Sequence, residues 1–317
     1  MTPLKWLFAL TALAASTTFA ADGFQWEDTE GKHRDLTFDG RNVARYQYER
    51  ITEERREETY KPYHMVYDWE GSDFITKGHG GKFTHHRGIY FGFSKCSFTN
   101  DEGIEFKGQD TWHCRKAHQT HAQFIEQTAD PDAASQTVEI HWHADDGSVF
   151  AKEVRSLTFS FTGDDLVVDF QSSVTPTVPK MRVDGDPQHA GFHFRASNEV
   201  SETTHGQTYY IRPVTGKDEP GKTINWSTKN DDETTRDLPW KAMSVVVGGS
   251  RYSVAYLDSP ENPKPARFSE RDYGRFGSYF AKDLTPEEPL EISYRLVFRK
   301  GEYTADEVGA MSDAFVK

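Results

Sequence analysis

The sequence predicts an all-β protein, a large antiparallel β-sandwich with a short C-terminal helix. Three observations carry this. Runs of alternating polar and apolar residues, rich in β-branched and aromatic side chains, recur along the chain. Turn signals such as Asp146-Gly147, Thr162-Gly-Asp-Asp165 and Val183-Asp-Gly-Asp186 separate them. Between the runs there is no helical period of the kind that builds parallel sheets.

Taken in order, the first segment is a leader. Lys5 precedes an apolar run at 6–15 that only Thr11 interrupts, and Thr18 and Ala20 stand at the −3 and −1 positions of a cleavage site. The run is well short of the roughly 20 apolar residues that span a bilayer. The expectation is a signal peptide at 1–20 and one β-sandwich domain at 21–317, exported to the periplasm or the extracellular space. No later stretch is apolar enough to span a membrane. Strand patterns follow at 41–48, 89–93, 138–142, 156–161, 166–170, 191–195, 243–247, 252–257 and 290–298. The mixed-sign run 49–58 reads as a solvated strand or turn, and the polar tract 215–237 as a long surface loop. At the end, Thr304-Ala-Asp-Glu307 is a capping-box pattern ahead of Val308, Met311 and Phe315, which predicts the closing helix.

Composition bounds the function. The 317 residues carry 50 acidic against 37 basic side chains, a net charge of −13, which argues against a nucleic-acid partner. Aromatics at 14% supply enough buriable surface to exclude disorder. Cys96 and Cys114 are the only cysteines, and in an oxidising compartment they are candidates for a disulfide, with two buried thiols as the alternative.

Histidine is the informative residue. Of 13 in the chain, His79, His85, His86, His113, His118, His121, His141 and His143 fall within one stretch. Strand periodicity puts Phe192 and Phe194 on one face and His189, His193 and Arg195 on the other. The same rule sets Glu139, His141 and His143 against Ile140 and Trp142. Such fronts either line a polar cleft or meet water. In the segment 83–92, adjacent His85 and His86 point oppositely if the chain is extended, and Arg87 offers a planar fork for a carboxylate or a hydroxyl pair. Asp110-Thr-Trp-His113 places a carboxylate, an indole and an imidazole together, groups suited to acid–base work and to stacking on a sugar ring. A late loop, Asp258-Ser-Pro-Glu-Asn262, precedes Arg271 and Tyr273. No His-Glu-x-x-His, zinc-type Cys/His cluster, Gly-x-Ser-x-Gly, P-loop or dinucleotide fingerprint occurs. No cofactor is therefore expected. A divalent metal is a minority reading, on His141 and His143 with a third ligand from elsewhere.

Together these motifs resemble the PmoA-like family of exported bacterial proteins. The resemblance rests on His85-His-Arg-Gly88, on 185–195, on Asp258-Ser-Pro-Glu-Asn262 and on Arg271-Asp-Tyr-Gly274, with Ser259 where that family commonly has histidine. It implies a galactose-mutarotase-like β-sandwich, found in company with carbohydrate-utilisation proteins. The family's label, methane oxygenase, fits poorly as an activity, since the chain lacks both a spanning segment after the leader and a recognisable copper or di-iron ligand set.

The reading is an exported carbohydrate-active protein with acid–base, lyase- or hydrolase-like chemistry on a glycan fragment or sugar derivative. His86, His113 and His189 are the catalytic candidates. His85, Arg87, Trp112, His193, Arg195, Asp258, Asn262 and Arg271 are the substrate-binding candidates. A hydrolase would need two carboxylates, for which Asp110 and Asp258 are nominated. The alternative is a non-catalytic glycan-binding accessory protein that uses Tyr90, Trp112 and Trp142 as stacking platforms.

Overall fold

The computed structural model describes residues 22–317; the expected signal peptide lies outside them. The described residues form two large antiparallel sheets, a smaller third sheet and a closing helix. One sheet runs Phe24–Thr29, His33–Phe38, Arg41–Gln47, Tyr63–Val66, Ile89–Phe93, Ala190–Arg195, Arg275–Tyr279, Arg267–Arg271. The other runs Gly216–Lys217, Tyr209–Arg212, Trp240–Val247, Ser250–Asp258, Leu290–Lys300, Asp165–Pro176, Val149–Thr162, Ala133–His143, His118–Ala129. The small sheet runs Lys282–Leu284, Lys180–Asp184, Lys95–Thr99, Glu105–Gln109. This is the antiparallel sandwich that the alternating runs predict.

Local chemistry accounts for the hairpins. Thr162 pairs with Asp165, so Gly163-Asp164 is a two-residue turn, and Gly163 takes φ +60°, which a hairpin turn of this hand requires. Several strands are longer than their sequence runs: Val149–Thr162 has 14 residues, where only 156–161 had a clear pattern. Its first half hides the pattern because charged Glu153 and Arg155 lie on the buried face while Val154 faces outward.

The core lies between the large sheets. Phe170 of one meets Phe192 of the other with ring centroids 4.3 Å apart, and Phe192 stacks on Tyr294 at 4.6 Å. Trp142, fully buried, donates its indole N–H to Glu153, which also holds Arg155 at 2.7 Å. Trp142 is thus a core residue rather than a stacking platform. The helix Ala305–Phe315 starts at the expected capping box, with Thr304 and Glu307 reciprocally bonded. Its Val308 packs on Tyr303, Trp240 and Val297, covering the far side of the larger sheet. No helix of the described residues is long and apolar enough to cross a membrane.

For function, what matters is the face of the first sheet that points away from this core. Phe192 and Phe194 enter the core, so His193 and Arg195 point outward, as period two requires. That outward face is not open to water. The loop following Glu105–Gln109, the loop preceding Ala190–Arg195 and the segment before Ile89–Phe93 fold over it, and every residue of Ala190–Arg195 is buried.

Candidate functional site

Three loops meet above this covered face, and each brings one histidine. The first is the turn at Asp110. Oδ1 of Asp110 accepts from the backbone N–H of Trp112 at 2.9 Å and of His113 at 2.8 Å, while Oδ2 lies 2.8 Å from His113 Nδ1. The turn is anchored to the sheet by Thr111, whose N–H and hydroxyl both reach the Phe93 carbonyl. The second loop repeats the arrangement. Asp186 accepts from the Gln188 N–H at 2.8 Å, and both of its oxygens lie 3.1 Å from His189 Nδ1. Asp110-Thr-Trp-His113 and Asp186-Pro-Gln-His189 are thus two copies of one device, in which an aspartate turn orients the imidazole three residues on. A carboxylate facing Nδ1 fixes the proton there and leaves Nε2 with its lone pair outward.

The third loop turns at residues 83–86, where the His86 N–H bonds the Phe83 carbonyl at 3.0 Å. Because this is a turn and not a strand, the two neighbouring histidines separate differently from the extended case. His85 joins the other two, with ring centroids 4.7 Å from His113 and 5.6 Å from His189. His86 instead packs on Phe83 at 5.0 Å and towards Tyr273, and is buried. The proton-transfer candidate His86 is therefore not one of the three converging nitrogens, although its ring stays edge-on to His85 at 4.5 Å, and His85, expected to bind substrate, is one of them. One ligand-capable atom from each of His85, His113 and His189 lies within 4.8 Å of the others. Nε2 of His85 is buried with no hydrogen-bond partner among the described residues.

Beneath the cluster is a layer of buried polar groups. His193 donates from Nε2 to the Ala190 carbonyl at 2.8 Å and accepts at Nδ1 from Arg195 at 2.7 Å. Gly277 permits this, since a Cβ there would lie 2.5 Å from the His193 ring. Arg195 also donates to the Gln188 carbonyl, tying the His189 loop to the sheet. Lys61 donates to the carbonyls of His85 and Trp112, which ties the other two loops together. Burial pushes the Lys61 ammonium down to about 7. Burial, followed by the nearby Lys61 and His113 charges, pushes His85 down to about 2, so its imidazole is neutral. The Asp110 carboxyl is held below its ordinary value: burial works against this, and hydrogen bonds from His113 and from the backbone outweigh it. Beside the His85 and His113 edge of the cluster lies a pocket of about 340 Å³, lined also by Arg56, Tyr60, Thr84 and Arg115 but not by His189. A larger groove of about 820 Å³ lies across the helical turn Arg56–Thr59, but it holds none of the three histidines.

Other sequence candidates fall elsewhere. Arg87 is buried and clamps the carbonyls of Thr84, His86 and Glu57, so its fork serves the backbone. Trp112 is 2% exposed, edge-on to His193 and Tyr90, and Tyr90 spends its hydroxyl on the Thr111 carbonyl. Neither ring is a stacking platform. Arg271 donates to the Glu270 carbonyl. Asn262 bridges Asp258 and both backbone groups of Ser293, locking the late loop to the second sheet. Asp110 and Asp258 share no partner or cavity among the described residues. His141 pairs with Glu139 at 2.6 Å, and His143 stacks on His118; both line a separate groove and belong to no three-ligand group among the described residues. The expected disulfide is corrected: Cys96 and Cys114 are free and buried, and the Cys114 thiol donates to the Thr111 carbonyl at 3.1 Å. Sequence reasoning missed Asp186 and Lys61. The repeated Asp-x-x-His spacing could have found the first, whereas a single lysine between Tyr60 and Pro62 carries no signal.

A family model described as a family of unknown function, DUF6807, matches residues 33–313. The resemblance to the PmoA-like family is thereby corrected, and nothing shows that label. Of its motif residues, Arg87 bonds backbone carbonyls, and Asn262 bonds Asp258 and the Ser293 backbone. No curated protein matches the chain in sequence. Among solved structures it is similar to the GH36 alpha-galactosidase AgaB of Geobacillus stearothermophilus, with 8% identity, 87% of this chain and 41% of that one covered, and a TM-score of 0.44. It is also similar to the galactosidase domain of the alpha-galactosidase-sucrose kinase AgaSK, with 9% identity, coverage of 87% and 42%, and a TM-score of 0.42. A galactose mutarotase related enzyme of Lactobacillus acidophilus matches with 9% identity, coverage of 76% and 96%, and a TM-score of 0.36. The chain spans about two fifths of the length of the galactosidase structures. Likenesses of this size concern the course of the chain alone.

Proposed function

The chain belongs to the DUF6807 family, whose function is unknown, and from that premise we propose that it is an exported carbohydrate-active protein working at the His85–His113–His189 cluster. The observation that carries the reading is the paired arrangement of Asp110 with His113 and Asp186 with His189, two oriented imidazoles at one cluster whose His85 and His113 line an open pocket. Carboxylates placed in this way fix the imidazole tautomer and raise the basicity of the outward nitrogen, which suits acid–base work. Export rests on the leader pattern at 1–20 alone. A glycan-binding accessory role is less well supported, because Tyr90, Trp112 and Trp142 are buried. Between the two reaction classes, elimination is favoured over hydrolysis: the carboxylates nominated to flank a glycosidic bond are not brought together. Arg115 at the pocket fits a substrate that carries a carboxylate, such as a uronate, whereas Arg56 is held by Glu53 and backbone carbonyls.

The test is incubation of the purified protein with oligosaccharides that include uronate-containing ones. Absorbance from a new unsaturated product, lost in His113→Ala, supports the reading. New reducing ends without that absorbance replace elimination by hydrolysis. Turnover that His113→Ala leaves intact, or no turnover of any member, overturns it.

A further inference from the structure

We propose that His85, His113 and His189 form a divalent-metal site, with zinc the best-fitting ion, whose fourth coordination position opens into the pocket beside Tyr60 and Thr84. The proposal deepens the reading above, because it rests on the same cluster and names what would act there.

Three independent features point to a cation. First, the donor set is convergent, with one nitrogen per ring within 4.8 Å of the others. Tetrahedral zinc with nitrogen at about 2.0–2.1 Å sets those atoms about 3.3 Å apart. Ring rotations of about an ångström supply the difference, and all three rings are only partly buried. Second, His113 and His189 each have Nδ1 facing a carboxylate, with no hydrogen bond to Nε2 among the described residues. A carboxylate–histidine pair of this kind typically supports a metal ligand: it fixes the tautomer and raises the basicity of the free nitrogen. Its occurrence twice, from loops about 76 residues apart in the chain, makes coincidence a poor account. Third, His85 Nε2 is buried and unpartnered among the described residues, a cost that a bound ion would remove.

Two carboxylates and the cations Lys61 and Arg195 surround such an ion. Asp110 and Asp186 together offset a double positive charge. The nearby cations are turned to backbone oxygens: Lys61 to the carbonyls of His85 and Trp112, and Arg195 to that of Gln188. Nitrogen-only donors suit zinc over magnesium or calcium, which take oxygen. Three protein ligands with an open fourth position is the pattern of catalytic rather than structural zinc. Water or a substrate oxygen would occupy that position from the pocket.

The test uses protein without a histidine tag, stripped with a chelator and titrated with zinc chloride against a chromophoric competitor, then with cobalt chloride. The expected result is saturable zinc binding and a four-coordinate cobalt spectrum. His113→Ala and His189→Ala, with unchanged circular dichroism, should lose more than the roughly 10–100-fold that a supporting carboxylate is worth. His141→Ala, in the separate groove, should bind as the wild type does. Wild-type binding no tighter than that of His113→Ala overturns the site. Zinc binding without turnover of any sugar supports the site and overturns the carbohydrate reading. Turnover by the stripped protein, unchanged by zinc, does the reverse.

Discussion

Replacing Asp110 with Asn tests the histidine cluster without deleting a histidine. The wild-type carboxylate makes three contacts: Oδ1 takes the N–H groups of Trp112 and His113, and Oδ2 faces His113 Nδ1 at 2.8 Å. An asparagine keeps an oxygen for the two backbone donors, so the turn survives. It places an NH₂ group where Oδ2 stood. That donor makes Nδ1 an acceptor and moves the ring proton to Nε2, the nitrogen that must offer a lone pair. Loss of a supporting carboxylate costs about 10–100-fold in metal affinity, or about 1.4–2.7 kcal/mol. The assay is competitive zinc titration at neutral pH, with thermal melting of the metal-free protein alongside. Asp186→Asn should sit at the weaker end of the range, because its contacts to His189 are longer, at 3.1 Å. Asp110→Asn that binds zinc as tightly as the wild type refutes the reasoning. An equal loss with a collapsed melting transition would show the aspartate to be a turn residue only.

Other outcomes follow from the same contacts. Glu270 is fully buried and holds Lys241 at 2.8 Å, Arg212 and the Ile224 N–H, so Glu270→Gln strands the buried Lys241 ammonium, while Arg212 keeps Asp218 at 2.6 Å. Urea unfolding should show a loss of about 3–5 kcal/mol, and an unchanged midpoint would refute the pairing. Asp258 is pushed up to about 6 by burial, against its ordinary 3.8. Between those values the folded chain keeps a proton that the unfolded chain has released, so this residue's contribution to stability falls as pH rises from about 4 to 6, by about 2–3 kcal/mol in all. Stability of the wild type minus that of Asp258→Asn, followed from pH 4 to 7 by denaturant titration, should therefore decline, and a flat difference sinks the assignment. Burial pushes the Cys114 thiol up to about 11 and raises Cys96 further. A thiol reagent should thus be excluded from the native protein and find both cysteines after unreduced denaturation; finding none would mean a disulfide.

Much of the fold was legible because its signals are local. The alternation at 89–93 and 191–195 matches strands Ile89–Phe93 and Ala190–Arg195 closely. The outward setting of His193 and Arg195 followed from period two. The capping box at Thr304 named the helix start. Illegible were the short strands such as Lys180–Asp184, whose few residues hold too little pattern. Site residues were half legible. His113 and His189 were singled out by residue type, but the split between His85 and His86 was argued for an extended chain, and a turn decides it otherwise.

What the sequence by itself determined is therefore the class of the protein: an antiparallel sandwich, rich in aromatics, with histidines concentrated in its first half. Which histidines meet was decided only by tertiary structure. Residues 85, 113 and 189 lie on three loops whose closure depends on Lys61, Thr111 and Arg195 bonding backbone atoms of other segments. Strand periodicity extends over a few residues, whereas convergence of loops is set by the packing of whole sheets. The outward face of Ala190–Arg195 was readable as polar; that three loops would bury it and suspend a histidine cluster above it was not.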